Sequence, residues 1–299
     1  MAAVVVQNWL EFVTAVGTAG AEVEFPKNLT HTTDTDVDPN KLYTDANGVV
    51  QTNVQPSDLA NLYENTFTLD ADDYAPGGLT APISVSCASI NGYGGTIKNI
   101  YASGVYVFEL QSTDMQAIAF IDNHCQNYSF FRNLGNSGTA TNIILSCQFN
   151  GGITKSYCID CFNYTFYKCS FNVKLTGDFG RFSKYTNNYN NCKYDLCRIN
   201  LIDDREFVSV NWGAQQFRIT NSYVSGRCCC PIGVNMSGNY GHDIFDITAP
   251  SVGADNSTIG QYVFVNTDKA SSIAYTVPVT TATLSDANAL AALGLPIQT

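Results

Sequence analysis

Along the middle of the chain, apolar residues come in short alternating bursts and not in helical stripes. The segments ISVSCASI (83–90), VYVFEL (105–110), AIAFID (117–122), EFVSV (206–210), FRITNSYV (217–224) and DIFDIT (243–248) are separated by stretches rich in Gly, Asn and Ser. Period-two alternation bounded by turn residues predicts short strands. Four cysteines in this region, Cys125, Cys147, Cys169 and Cys192, recur at gaps of 22, 22 and 23 residues. Aromatics follow two residues later at Phe149, Phe171 and Tyr194, and Asn comes next at Asn150 and Asn172. The same neighbours in phase over three steps mark a structural repeat. A period near 22 is too short for a propeller blade and lacks the skeleton of a leucine-rich repeat. It suits one rung of a parallel β-helix, in which three short strands and three turns close a coil. On such strands Ile143, Leu145, Cys147 and Phe149 share one parity, as do Tyr167, Cys169 and Phe171, and each set is expected to face one way. Rungs stacked about 4.8 Å apart would lay Cys on Cys and Phe on Phe. Asn suits the turns, because it tolerates left-handed backbone and hydrogen-bonds locally, and Asn ladders stack well between like rungs. The crossover rule predicts a right-handed coil.

The ends differ from the middle. Residues 1–30 hold an amphipathic helix over 8–17, with Trp9, Phe12, Val13 and Val16 on one face, and then a strand, AEVEFP. A helix there would cover the open edge of the first rung. Residues 31–82 are polar, acidic and turn-rich, and are expected to leave the coil as an excursion, with a short helix capped by Ser57. Residues 83–248 have room for roughly seven rungs. In 249–299, two strands precede a helix capped by Ser285, with Gly294 and Pro296 past its end, a separate closing element. The expected fold is therefore all-β: a right-handed parallel β-helix with a short N-terminal capping helix and a small C-terminal cap.

Composition narrows the function. Of 299 residues, 45% are hydrophobic and only 14% charged, with 29 Asn and 23 Gly. So few charges argue against a helical bundle, and so many apolar residues against disorder. With 26 acids against 15 bases the net charge is −11, which excludes a phosphate-tracking nucleic-acid binder. No apolar run reaches the roughly 18 residues of a membrane span. The start, MAAVVVQNWLEF, lacks the basic segment of a signal peptide. The 11 cysteines are therefore expected to be reduced, buried thiols and not a disulfide framework.

The stretch WLEFVTAVGTAGAEVEFP, with INGYGGTIKNI and the Asn-rich coils after it, resembles right-handed β-helix proteins of the pectin-lyase-like superfamily. The nearer likeness is to bacteriophage tailspikes and appendages, and LSDANALAALGLPIQ is similar to the helical tails of phage structural proteins. The resemblance implies a homotrimeric virion-surface component, made in the host cytoplasm. Its partners would be its own copies, other virion proteins and host surface polysaccharide. Attachment is the leading expectation. The alternatives are a polysaccharide depolymerase on the same scaffold and a capsid-decorating fibre protein.

Candidate chemistry is sparse. Glycoside hydrolysis needs two carboxylates held about 5–9.5 Å apart, and Asp203, Asp204 and Glu206 form the best acidic cluster. The polygalacturonase order of motifs fails: the Asn-Thr-Asp at 266–268 follows the Asp-Asp at 203–204, and His242 is followed by Asp243. Its residue roles are therefore not carried over, and no catalytic residue is assigned. For a lyase, Asp178 with Arg181, near Lys184 and Tyr185, reads as a surface ion pair. Asp34, Asp36 and Asp38 lack the Gly and the closing Glu of a calcium loop. Cys158 and Cys161 lack a second ligand pair, and the triplet Cys228, Cys229 and Cys230 cannot chelate from one strand. No metal or cofactor is expected. Tyr185, Tyr189, Tyr194 and Trp212 lie among asparagines, a pairing suited to sugars, since rings stack on the sugar face and amides meet hydroxyls. Of these, Tyr185, Tyr189 and Trp212 are the sugar-contact candidates.

Overall fold

Short β-prone bursts separated by turn residues cannot bury both faces alone, so they stack. In the computed structural model the strands form three parallel sheets, joined so that successive strands run along different sides of a coil. The structure describes residues 2–38, 40–126, 128–133, 142–154, 157–161, 163–175, 181–184, 193–202, 206–209, 218–220, 223–225, 235–237 and 240–241. The expected closing element at 249–299 and the strand at 243–248 lie outside these residues.

The first face runs from Glu22–Glu24 through Ser89–Asn91, Asp114–Gln116, Asn142–Leu145 and Tyr164–Tyr167 to Lys193–Asp195 and beyond. The second contains Thr68–Asp70, Thr96–Lys98, Ala119–Ile121, Gln148–Thr154, Ser170–Leu175 and Arg198–Ile202. The third contains Ile83–Val85, Phe108–Leu110, Phe131–Asn133, Tyr157–Asp160, Arg181–Lys184 and Glu206–Ser209. The fold is thus a parallel β-solenoid. Inward positions repeat from coil to coil. On the second face Leu69, Ile97, Phe120, Phe149, Phe171 and Ile199 line up, and all are buried. Phe120, Phe149 and Phe171 stack nearly flat, with centroids 4.9 and 4.5 Å apart. On the first face Phe166 stacks on Tyr194 at 4.9 Å.

The expected adjacency of Cys147 and Cys169 holds. Gln148 pairs with Ser170 and Phe149 with Phe171, which sets the two cysteines on neighbouring coils. The ends of the cysteine repeat need correction. Ser170 pairs with Arg198, so the next member of the column is Cys197 and not Cys192, whose placement is not described. Cys125 sits in a different column, level with Ala102 below and Thr154 above; the residue beneath Cys147 is Ile118. Coils differ in length, so a fixed spacing drifts out of register.

The expected parity also fails at one corner, for a specific reason. Between the first and second faces sits one residue with left-handed backbone: Ala117, Ser146, Lys168 and Leu196, with φ between 50° and 58°. That residue turns the chain and resets the alternation. Ile144 is buried while Ile143 is exposed and Leu145 half-buried, and Phe166 is buried while Tyr167 is half-buried. The residue just past the turn, which is Ile118, Cys147, Cys169 or Cys197, is buried. The thiols of Cys169 and Cys197 donate to the carbonyls of Ile144 and Phe166 in the preceding coil, both at 3.2 Å.

The N-terminal helix forms as expected, at Trp9–Val16, with Asn8 as N-cap accepting from the Glu11 N–H. Trp9, Phe12, Ala15 and Val16 are buried in it. The Val16 carbonyl at its C-terminal end accepts from the Ser86 and Cys87 N–H groups, and the Ser86 hydroxyl donates to Gly17 O. The next coil thereby satisfies carbonyls that a helix end leaves open.

The excursion is folded. Leu29–His31, Tyr63–Asn65 and Tyr43–Thr44 make an antiparallel sheet, over a small core of Tyr43, Leu59 and Leu62. The helix expected from Ser57 is only a single 3-10 turn, Leu59–Asn61, after Asp58 and without a side-chain cap, because the strand at Tyr63 begins at once. Lys41 binds both Asp34 and Glu64, at 3.0 and 2.8 Å, and the Tyr43 hydroxyl donates to Asp34 at 2.7 Å. Burial alone would raise the Asp34 pKa, but the bonds from Tyr43 and Lys41 outweigh it and hold the carboxyl below its usual range.

Candidate binding surface

Most sequence candidates fall outside the described residues: Asp203, Asp204, Tyr185, Tyr189, Trp212, Asp178, His242 and Cys228–Cys230. Glu206 opens the strand Glu206–Ser209, in register with Arg181 on the neighbouring coil. Tyr194 is wholly buried in its stack with Phe166, so it leaves the group of outward sugar-contact rings. Asp34 is committed to Lys41 and Tyr43, and the Asp38 carboxylate accepts from the Asn40 N–H. Among the described residues no three His, Cys, Asp or Glu side chains come together as a metal site.

Cys87, Cys125, Cys147, Cys161, Cys169 and Cys197 are buried thiols outside any disulfide. Burial raises the Cys87 thiol to about 11 and those of Cys125 and Cys147 to about 12, so all three stay protonated and poorly nucleophilic at neutral pH.

Two rings that sequence reasoning missed stand on the flank leading to the third face. Tyr106 and Tyr128 meet edge to face at 4.8 Å, and the Arg132 guanidinium lies 4.4 Å over the Tyr106 ring. Arg132 also reaches Glu109 at 3.5 Å. The two tyrosines sit in the segments YVF and YSFF, whose Phe108, Phe130 and Phe131 are buried while Tyr106 is half-buried and Tyr128 is exposed. Tyr101, 40% exposed, lies in register with His124 on the next coil. The geometry offers stacking faces, one cation and one carboxylate on an open wall, which is binding chemistry.

A separate small cleft, of about 80 Å³, lies between the excursion and the left-handed corner. Asp38 and Asn53 line one side, and Ser146, Gln148, Lys168 and Ser170 the other. Asn40 accepts a hydrogen bond from the Asn150 amide on the same flank. The volume is well below the roughly 300–1,000 Å³ of a drug-sized ligand site. Compared with known proteins, the chain matches no family model, no curated protein and no solved structure. Among the described residues no helix is long and apolar enough to cross a membrane.

Proposed function

We propose that the chain is a structural component of a bacteriophage virion, a homotrimeric appendage that attaches the particle to polysaccharide on the host surface. The observation that carries the reading is the half-exposed pair Tyr106 and Tyr128, with Arg132 over one ring, on the wall of a regular parallel solenoid. Rings of this kind stack on the apolar face of a sugar, and the guanidinium and the nearby carboxylate meet its hydroxyl and acidic groups. A solenoid places such groups at repeated heights along one wall, which fits a polymeric ligand. The sequence resemblance to tailspike-type β-helix proteins supplies the virion setting.

The test is incubation of the full chain with a panel of capsular polysaccharides, measuring retention on immobilised glycan and release of reducing ends. Retention without release is expected, and Tyr106→Ala with Tyr128→Ala should weaken it at least tenfold. Release of reducing ends, which would make the chain a depolymerase, or no retention across a broad panel, overturns the reading.

A further inference from the structure

We propose that Asn47, in an exposed loop of the excursion, is a site of spontaneous covalent modification, which converts its side chain to aspartate or isoaspartate through a cyclic imide with Gly48. The chain carries Asn-Gly at 47–48, 91–92 and 150–151. In such a pair the glycine nitrogen can attack the asparagine Cγ, because no side chain on the glycine crowds the approach. The new C–N bond closes an imide ring, the Cγ–Nδ2 bond breaks, and the proton of the glycine nitrogen leaves with the amide as ammonia. Water then opens the imide at either carbonyl, giving aspartate or isoaspartate with one added carboxylate.

The fold exposes one of these pairs and restrains the other two. Asn91 ends the strand Ser89–Asn91, which lies between Glu22–Glu24 and Asp114–Gln116. Its Oδ1 accepts from the Tyr93 N–H, and the Gly92 N–H, the attacking group, donates to Gln116 O at 2.9 Å. Asn150 lies on the second face between Ile121 and Asn172. Its amide is held at both ends, donating to Asn40 and accepting from the Asn172 amide at 3.2 Å. Asn47 is exposed and belongs to no strand. It sits between Thr44 and Val50, which bridge antiparallel. The bonds that hold this loop are local and centre on Asp45. The Gly48 N–H donates to Asp45 O, and Asp45 Oδ1 accepts from the Asn47 and Val49 N–H groups. Opening the loop breaks only such local bonds, whereas freeing Gly92 or Asn150 disrupts bonds between coils. The product sets a second carboxylate close to that of Asp45, and an isoaspartyl link lengthens the backbone inside the closed loop.

The experiment is incubation of the full chain, native or in denaturant, in mildly alkaline buffer, where the glycine nitrogen loses its proton more readily. Proteolytic peptide mapping by mass spectrometry follows, with an isoaspartyl methyltransferase assay. In the native chain the peptide holding Asn47 should gain one mass unit and split into aspartyl and isoaspartyl forms. It should do so at least about tenfold faster than the peptides holding Asn91 or Asn150, the ratio set by about 1.4 kcal/mol between local openings. In denaturant the three should convert at comparable rates, since the fold no longer separates them. Asn47→Ser, which has no amide to lose, should remove the fast native phase of ammonia release. An Asn47 that stays intact in the native chain, or an Asn91 or Asn150 that converts there as fast as Asn47, overturns the proposal.

Discussion

The residues that shape this molecule most are four that no composition rule would choose. Ala117, Ser146, Lys168 and Leu196 adopt left-handed backbone at the same corner of successive coils. For a residue with a Cβ that conformation costs about 1–2 kcal/mol. Glycine would remove the cost while adding about 0.5–1 kcal/mol of unfolded-state entropy. Lys168→Gly is therefore expected to stabilise the fold by up to about 1 kcal/mol in urea denaturation, and Lys168→Val to destabilise it. A loss on going to glycine would mean that the lysine side chain outweighs the strain. The neighbouring cysteines give a second prediction at this scale. With their thiols buried, Cys87, Cys125, Cys147, Cys161, Cys169 and Cys197 should resist a water-soluble thiol reagent in the native chain and react fully in denaturant. Rapid native labelling of Cys147 or Cys169 would contradict the inward corner.

At the level of elements, the phenylalanine stack of the second face and the ion-pair network of the excursion carry separate loads. Phe149 lies flat between Phe120 and Phe171. Phe149→Ala should cost about 3–5 kcal/mol, and Phe149→Leu about 1.5 kcal/mol or less, as read from urea midpoints; equal costs would argue against the stack. In the excursion, Asp34 is held below its usual pKa and Lys41 above its own. A lowered carboxyl pKa contributes stability above the unfolded value near 3.8, lost as pH falls through the folded value. A raised lysine pKa contributes below 10.5, lost as pH rises through the folded value. The penalty of Asp34→Asn should thus be full near pH 7 and shrink below about pH 4; a penalty that does not vary with pH would remove this account. The sequence made the strands, the capping helix and the neighbouring Cys147 and Cys169 legible, because burial writes a period of two. It hid the corner, since one left-handed residue resets that period without a glycine to mark it. It also misplaced the column's upper member, since loop length shifts the spacing; the recurring Cys-x-apolar-Asn of CQFN, CSFN and CRIN leads to Cys197. Tyr106 and Tyr128 went unseen because only stacking coils bring their rings together.

For the whole molecule, the proposed appendage requires self-association: under that reading chains of 32.5 kDa close by cyclic symmetry as trimers. Sedimentation equilibrium should therefore give three times the chain mass across a tenfold range of concentration, and a monomer throughout would end the trimeric appendage reading. The strand Val4–Val5 lies on the outer side of Glu22–Glu24, with the helix Trp9–Val16 between them in sequence, so the lid and the first template belong to the same short stretch. During synthesis that stretch leaves the ribosome before any coil that must be laid upon it. Each later turn then meets a finished ledge, and the molecule can be wound in the direction in which it is translated.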